Sequence, residues 1–125
     1  MSCLFQSLSS FVSHNDYSKL RQDICNFLQQ NPNMSGLDLK TIMETENISI
    51  EDYVRQMRSN ATWGGAIEIK AFCDMYNVNV LVKNIRNENR DPNIPDSIEF
   101  LCNDTNINRW VEITWNGGHF EPILE

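Results

Sequence analysis

The sequence predicts an α+β domain, with helices in its first half packed on a small, mainly antiparallel sheet built from its second. Three observations predict this. Leu4, Phe5, Leu8, Phe11 and Val12 recur at helical spacing near the start of the chain. Val78, Val80 and Val82 alternate along an extended stretch, with Leu81 on the opposite face. Asn116-Gly117, between Trp115 and His119, is a strong hairpin-turn signal. Helices followed by strands is the order of an α+β architecture.

The elements follow in order. The first apolar stripe predicts a helix from about Cys3 to Val12. His14-Asn15-Asp16 breaks it and caps a second helix, which carries Tyr17, Leu20, Ile24, Phe27 and Leu28 on one face and stops near Asn31-Pro32. Residues 33–47 are polar and read as a loop with a short helical turn. Ser49-Ile50-Glu51-Asp52 resembles a capping box and starts a helix running to about Arg58. Thr62-Trp63-Gly64-Gly65 is a second break, where paired glycines let chain or ligand approach closely. The next helix buries Ile67, Ile69, Phe72, Cys73 and Tyr76 and ends at Asn77. Strands are expected from Val78, over Ser97–Cys102, over Trp110–Trp115 and over His119–Leu124, with a polar, proline-bearing loop over Asn84–Asp96.

Composition bounds what such a domain does. The chain has 125 residues, the size of one domain spanning residues 1–125. About two-thirds of the unfolded surface can be buried at this length, enough for one core. Hydrophobic residues make up 41% and charged residues 22%, a globular balance. No apolar run approaches the roughly 20 residues of a membrane span, and no secretory signal opens the chain. The net charge of −7 argues against nucleic acid, which is held by clustered Lys and Arg. A basic protein or peptide partner suits it instead. None of the four cysteines sits in a C-x-x-C pair, so a zinc ribbon or a thioredoxin-type pair is not expected. They read as free thiols in a reducing, cytoplasmic compartment. The Asn-x-Ser/Thr triplets at Asn33, Asn47, Asn60 and Asn103 then read as chance occurrences among 16 asparagines.

Three residues carry candidate chemistry. Cys3 lies at the predicted N-terminus of an amphipathic helix, where backbone N–H groups and the helix dipole favour a thiolate and can face an oxyanion. His119 follows the Asn-Gly-Gly turn, and Glu121 lies two residues on. Side chains at i and i+2 of a strand share a face, so the carboxylate can hold one ring nitrogen and leave the other as a base. Position alone also allows a buried structural Cys3 and a solvated surface pair at His119 and Glu121. His14 sits in a polar turn without such a partner and reads as surface. Cys25, Cys73 and Cys102 read as packing residues. A cysteine opening a helix, with a histidine and an acid on a strand, is the papain-like arrangement, recognised by geometry and not by order.

The sequence resembles the OTU (ovarian tumour) family of cysteine proteases in three segments. Cys3-Leu4-Phe5-Gln6-Ser7-Leu8 is similar to the family's nucleophile motif. Thr62-Trp63-Gly64-Gly65, with Ile67-Glu68-Ile69, Ala71 and the later Val78 and Val80, resembles its Trp-Gly-Gly-x-x-Glu-x-x-Ala helix leading into a strand. Trp115-Asn116-Gly117-Gly118-His119-Phe120-Glu121 resembles its closing Gly-His-aromatic motif. Order and spacing agree across nearly the whole chain.

The resemblance implies a papain-like fold, Cys3 as nucleophile and His119 as general base and acid. It places Glu121 where the family often has Asp or Asn to orient the histidine. It leaves Trp63, Gly64 and Gly65 to shape the core or the cleft wall. The implied activity is deubiquitination: removal of ubiquitin or a related modifier after its C-terminal Gly-Gly, without metal or cofactor. A monomer is the default expectation and does not come from the resemblance. One departure stands. Met1 and Ser2 precede Cys3 where the family usually has Asp-Gly-x, the region that positions the oxyanion hole. A start further upstream, a minimal active domain and a degenerate member are all consistent with this. A non-catalytic module that binds ubiquitin or another protein is therefore the alternative function.

Overall fold

The computed structural model describes residues 2–12, 16–34, 36–85, 93 and 95–124. Helix α1 (Cys3–Ser9) opens the chain. Its predicted continuation to Val12 is a tightened end, where the N–H groups of Ser10, Phe11 and Val12 each bond the carbonyl three residues back. Helix α2 (Tyr17–Gln30) is capped as expected by Asp16, whose carboxylate accepts from the N–H groups of Ser18 and Lys19. The reading of His14 as a surface residue falls outside the described residues, as does most of the loop expected over Asn84–Asp96.

Residues 33–47 are more ordered than their polar composition predicts. Strands β1 (Asn33–Met34) and β2 (Leu37–Asp38) form a short antiparallel ribbon, with Gly36 at φ +77° between them. Helix α3 (Leu39–Glu46) follows directly, with Asp38 as its N-cap and Asn47 in the left-handed conformation at its end. It buries only Leu39 and Met43, one turn apart, too thin a stripe to stand out in the sequence. Helix α4 (Ile50–Met57) starts where expected, the Ser49 hydroxyl accepting from the Asp52 N–H. Helix α5 (Ala66–Tyr76) starts after the paired glycines and stops at Asn77, at φ +54°.

The sheet holds β3 (Asn79–Asn84), β4 (Ser97–Phe100), β5 (Trp110–Trp115) and β6 (Phe120–Ile123) in the order β4-β3-β5-β6. The two outer pairings are antiparallel and the central one, β3 with β5, is parallel. The sheet is thus mainly antiparallel, as expected, with one parallel pairing at its centre that the sequence did not announce. Asn79 fastens the crossover from β4 to β5. Its side chain is buried, accepts from the Cys102 N–H and donates to the Ile107 carbonyl, while its own N–H bonds the Arg109 carbonyl. The chain leaving β4 passes the start of β3 at these bonds and enters β5 parallel to it. The predicted strand over Ser97–Cys102 accordingly ends at Phe100.

Val80 and Val82 of β3 face Val111 and Ile113 of β5 across the parallel register, and all four are buried. Helix α5 packs on β3 and β4, α2 on α4 and α5, and α1 on α2 and β6. Leu4, Phe5, Leu8, Leu20, Ile24, Leu28, Ile69 and Phe72 join those valines in one continuous core. Buried apolar area at this scale, near 25 cal/mol per Å², drives the assembly. No helix among the described residues is long and apolar enough to cross a membrane. The α+β class expected from the sequence holds.

Candidate active site

Each candidate side chain is placed by an element whose formation was argued above. Cys3 is the first residue of α1 and is 7% exposed, at the edge of the core. Its carbonyl accepts from the Ser7 hydroxyl, which tightens the first turn. The remaining thiols differ in environment. Burial pushes Cys25 up to about 11 and Cys73 up to about 12. Both stay neutral near pH 7 and are inert packing groups, as expected. Cys102 lies two residues past β4 and donates its thiol to the Asp104 carbonyl. All four cysteines are unpaired.

His119 falls just before β6 instead of opening it. It closes a four-residue connection in which Asn116 N–H bonds the His119 carbonyl and the Asn116 side chain accepts from the Gly118 N–H. Gly117, at φ +100°, supplies the left-handed step this turn requires. Glu121 is the second residue of β6, opposite Thr114. The separation by two residues does bring the side chains together: His119 Nε2 is 3.4 Å from Glu121 Oε1. Both are well exposed, the glutamate more than the histidine. Because α1 packs on β6, the element carrying Cys3 lies against the element that follows His119 and carries Glu121.

A groove of about 500 Å³ opens beside these elements, lined by Trp63, Gly64, Gly65, Trp115, Gly117, Gly118 and Phe120. It draws on two of the segments singled out in the sequence. Both chain neighbours of His119 line it. Trp63 is half-exposed, so it belongs to the groove wall and not to the core. Gly64 meets α1 closely: a Cβ there would sit 2.8 Å from Leu4 Cδ2 and 3.0 Å from Phe5 Cε2. The wall is therefore docked on the residues that follow Cys3.

Two buried polar groups were not singled out as functional from sequence. Glu68 is 1% exposed; its Oε1 accepts from the Gly65 N–H and its Oε2 from the Tyr53 hydroxyl. Burial raises its carboxyl above the usual range, opposed by these hydrogen bonds and by Arg21. Arg21 is fully buried between α1 and α4. Both left a trace in the sequence. Glu68 stands three residues after Gly65, the capping-box spacing. Arg21 interrupts the stripe Tyr17, Ile24, Leu28 at a position that must face the core. No group of three or more His, Cys, Asp or Glu among the described residues could hold a metal ion.

The chain matches the family model described as OTU-like cysteine protease over residues 2–120. Among curated proteins, none matches it. Several solved structures resemble it in fold. The OTU domain of OTUD1 superposes with a TM-score of 0.74 at 16% identity, covering 99% of this chain and 79% of that one. An ovarian tumour domain in complex with ubiquitin gives 0.72 at 23% identity, covering 97% of this chain and 62% of that one. An OTU deubiquitinase from Wolbachia pipientis wMel, bound to ubiquitin, gives 0.66 at 23%, with 99% and 90% covered.

Proposed function

The chain belongs to the OTU-like cysteine proteases, and on that footing we propose that it is a thiol-dependent isopeptidase that removes ubiquitin or a ubiquitin-like modifier from proteins. The observation that carries this reading is the meeting of three sequence-distant segments. The helix opened by Cys3 packs on β6, the His119–Glu121 pair stands at the head of β6, and the glycine-walled groove runs past both neighbours of His119. Two fold neighbours are bound to ubiquitin, which supports the substrate class.

In the proposed reaction His119 takes the proton from the Cys3 thiol. The thiolate sulfur attacks the carbonyl carbon of the modifier's terminal glycine. The C–N bond to the substrate lysine then breaks, and His119 returns the proton to the leaving amine. Water, deprotonated by His119, cleaves the thioester and frees the glycine carboxylate and the Cys3 thiol. Glu121 orients the imidazole. Trp63 and the glycines beside it admit residues without side chains, and the chain's net negative charge suits a basic partner. The proposal has the protein act as a monomer in the cytoplasm, where all four thiols stay reduced.

A ubiquitin probe with a C-terminal electrophile tests the proposal. Labelling of Cys3, lost in Cys3→Ala, is the expected result. Calorimetric binding of ubiquitin by folded protein, without labelling or cleavage, would instead make the domain a binding module.

A further inference from the structure

Arg21 places a cation where the core is most closed. Its guanidinium carbon lies 4.2 Å from the centroid of the Phe5 ring, over the ring face. Nη1 donates to the Met57 carbonyl at 2.8 Å, and Nη2 to the Ser2 hydroxyl at 3.4 Å. Arg21 thus spans from the last residue of α4 to the residue just before Cys3, with its flat face against the second residue after Cys3. The Ser2 hydroxyl, turned to Arg21, makes no cap bond to α1.

Packing alone does not account for an arginine here. A methionine or leucine would fill the space without desolvating a charge, and such replacements of buried ions are often neutral or stabilising. What arginine adds is a planar fork whose two arms and one face are engaged at fixed angles, a geometry lysine does not reproduce. The elements it joins are the ones the site depends on. Phe5, together with Leu4, is also what Gly64 of the groove wall rests on.

We infer that Arg21 is a positioning residue, which sets the angle of the first turn of α1 against α4 and the groove wall and so aims Cys3. The inference rests on the reading of Cys3 as nucleophile, and it predicts a rate effect through orientation and not through substrate affinity.

Arg21→Met and Arg21→Lys test it, with fluorogenic ubiquitin as substrate and amide hydrogen exchange as a second readout. Expected are kcat lower by about tenfold to a hundredfold and KM within about twofold, as for a small misplacement of reacting groups. The amides of residues 6–9 should exchange faster while those of β3 and β5 do not change. Arg21→Lys, which keeps the charge and loses the fork, should resemble Arg21→Met. A purely structural arginine would lower the unfolding midpoint and leave kcat per folded molecule intact, and that result would overturn the inference. If Arg21→Met does not fold, Ser2→Ala removes only the accepting hydroxyl and carries the same two readouts. If the unaltered protein neither labels nor turns over, the isopeptidase reading falls, and exchange at residues 6–9 decides Arg21 by itself: faster exchange in the variants upholds the positioning role, unchanged exchange overturns it.

Discussion

His119 and Glu121 form their contact on an exposed strand end, where water screens it. A contact between exposed polar side chains contributes no more than about 1 kcal/mol, so the glutamate should assist the histidine modestly. Glu121→Ala is expected to lower turnover of a ubiquitin substrate by less than about tenfold, consistent with a coupling of that size. His119→Ala removes the proposed proton carrier and should cost about 100- to 10,000-fold. Steady-state kcat for the two variants checks the ranking, and equal losses would show that the carboxylate does more than its exposure allows. Gly64 and Gly65 differ just as sharply, although the sequence presents them as a pair. A methyl group at Gly64 drives into Leu4 and Phe5, whereas at Gly65 it meets nothing within 4 Å. Gly64→Ala should destabilise the fold by about 1–3 kcal/mol through overpacking, and Gly65→Ala by no more than about 0.5 kcal/mol. Urea midpoints at unchanged m-value measure both.

Among the elements, those that carry their own signals were legible. Asp16 and Ser49 cap the helices they were expected to cap, and β5 has the bounds its alternation predicts. Helix α3 was not legible, because Leu39 and Met43 are too few to mark a face. Nor was the parallel centre of the sheet, because it comes from a crossover past β3 that is held by contacts between residues more than twenty apart, those of Asn79 among them. Helix α5 meets that same connection through an ion pair. Lys70 Nζ lies 2.9 Å from Asp74 Oδ1 and 2.6 Å from the Leu101 carbonyl, and Asp74 Oδ1 accepts from the Asn103 N–H. Both side chains are nearly sealed from water. Removing one partner strands the other charge, so Asp74→Ala should cost about 3–5 kcal/mol. The double variant Lys70→Met/Asp74→Leu should recover most of that loss. Chemical denaturation of the unaltered protein and the two variants ranks them, and a double variant as unstable as Asp74→Ala would show that the Leu101 and Asn103 contacts carry the stability instead.

At the scale of the whole molecule the site was legible as three motifs but not as one object. Cys3, Trp63–Gly65 and His119 could be named from their neighbours in sequence. Arg21 from α2, against Ser2 and Phe5, and Glu68 from α5, which accepts from the Tyr53 hydroxyl and the Gly65 N–H, tie the first two segments into the core, and α1 packing on β6 brings in the third. A single sequence shows polar residues on helices but not which of them a fold will close over. The glutamate makes that burial measurable. Glu68 faces the Tyr53 hydroxyl, the Arg21 guanidinium and the Cys25 thiol. Its carboxyl is raised in the folded protein, mainly by burial, above the roughly 4.3 of an unfolded chain. The folded state therefore holds that proton more tightly than the unfolded state does. Its contribution to stability is fully present below the unfolded value, and is lost as pH rises from there through the raised folded value. Glu68→Gln keeps an acceptor for Gly65 and has no proton to lose. Its stability relative to the unaltered protein should rise with pH across that window and level off above it. Urea unfolding of both proteins from pH 4 to pH 8, in steps of about half a unit as the width of a titration requires, measures the difference. Parallel curves would mean that Arg21 and the two hydrogen bonds just offset the cost of burying the charge, and that Glu68 is an ordinary carboxylate inside the fold.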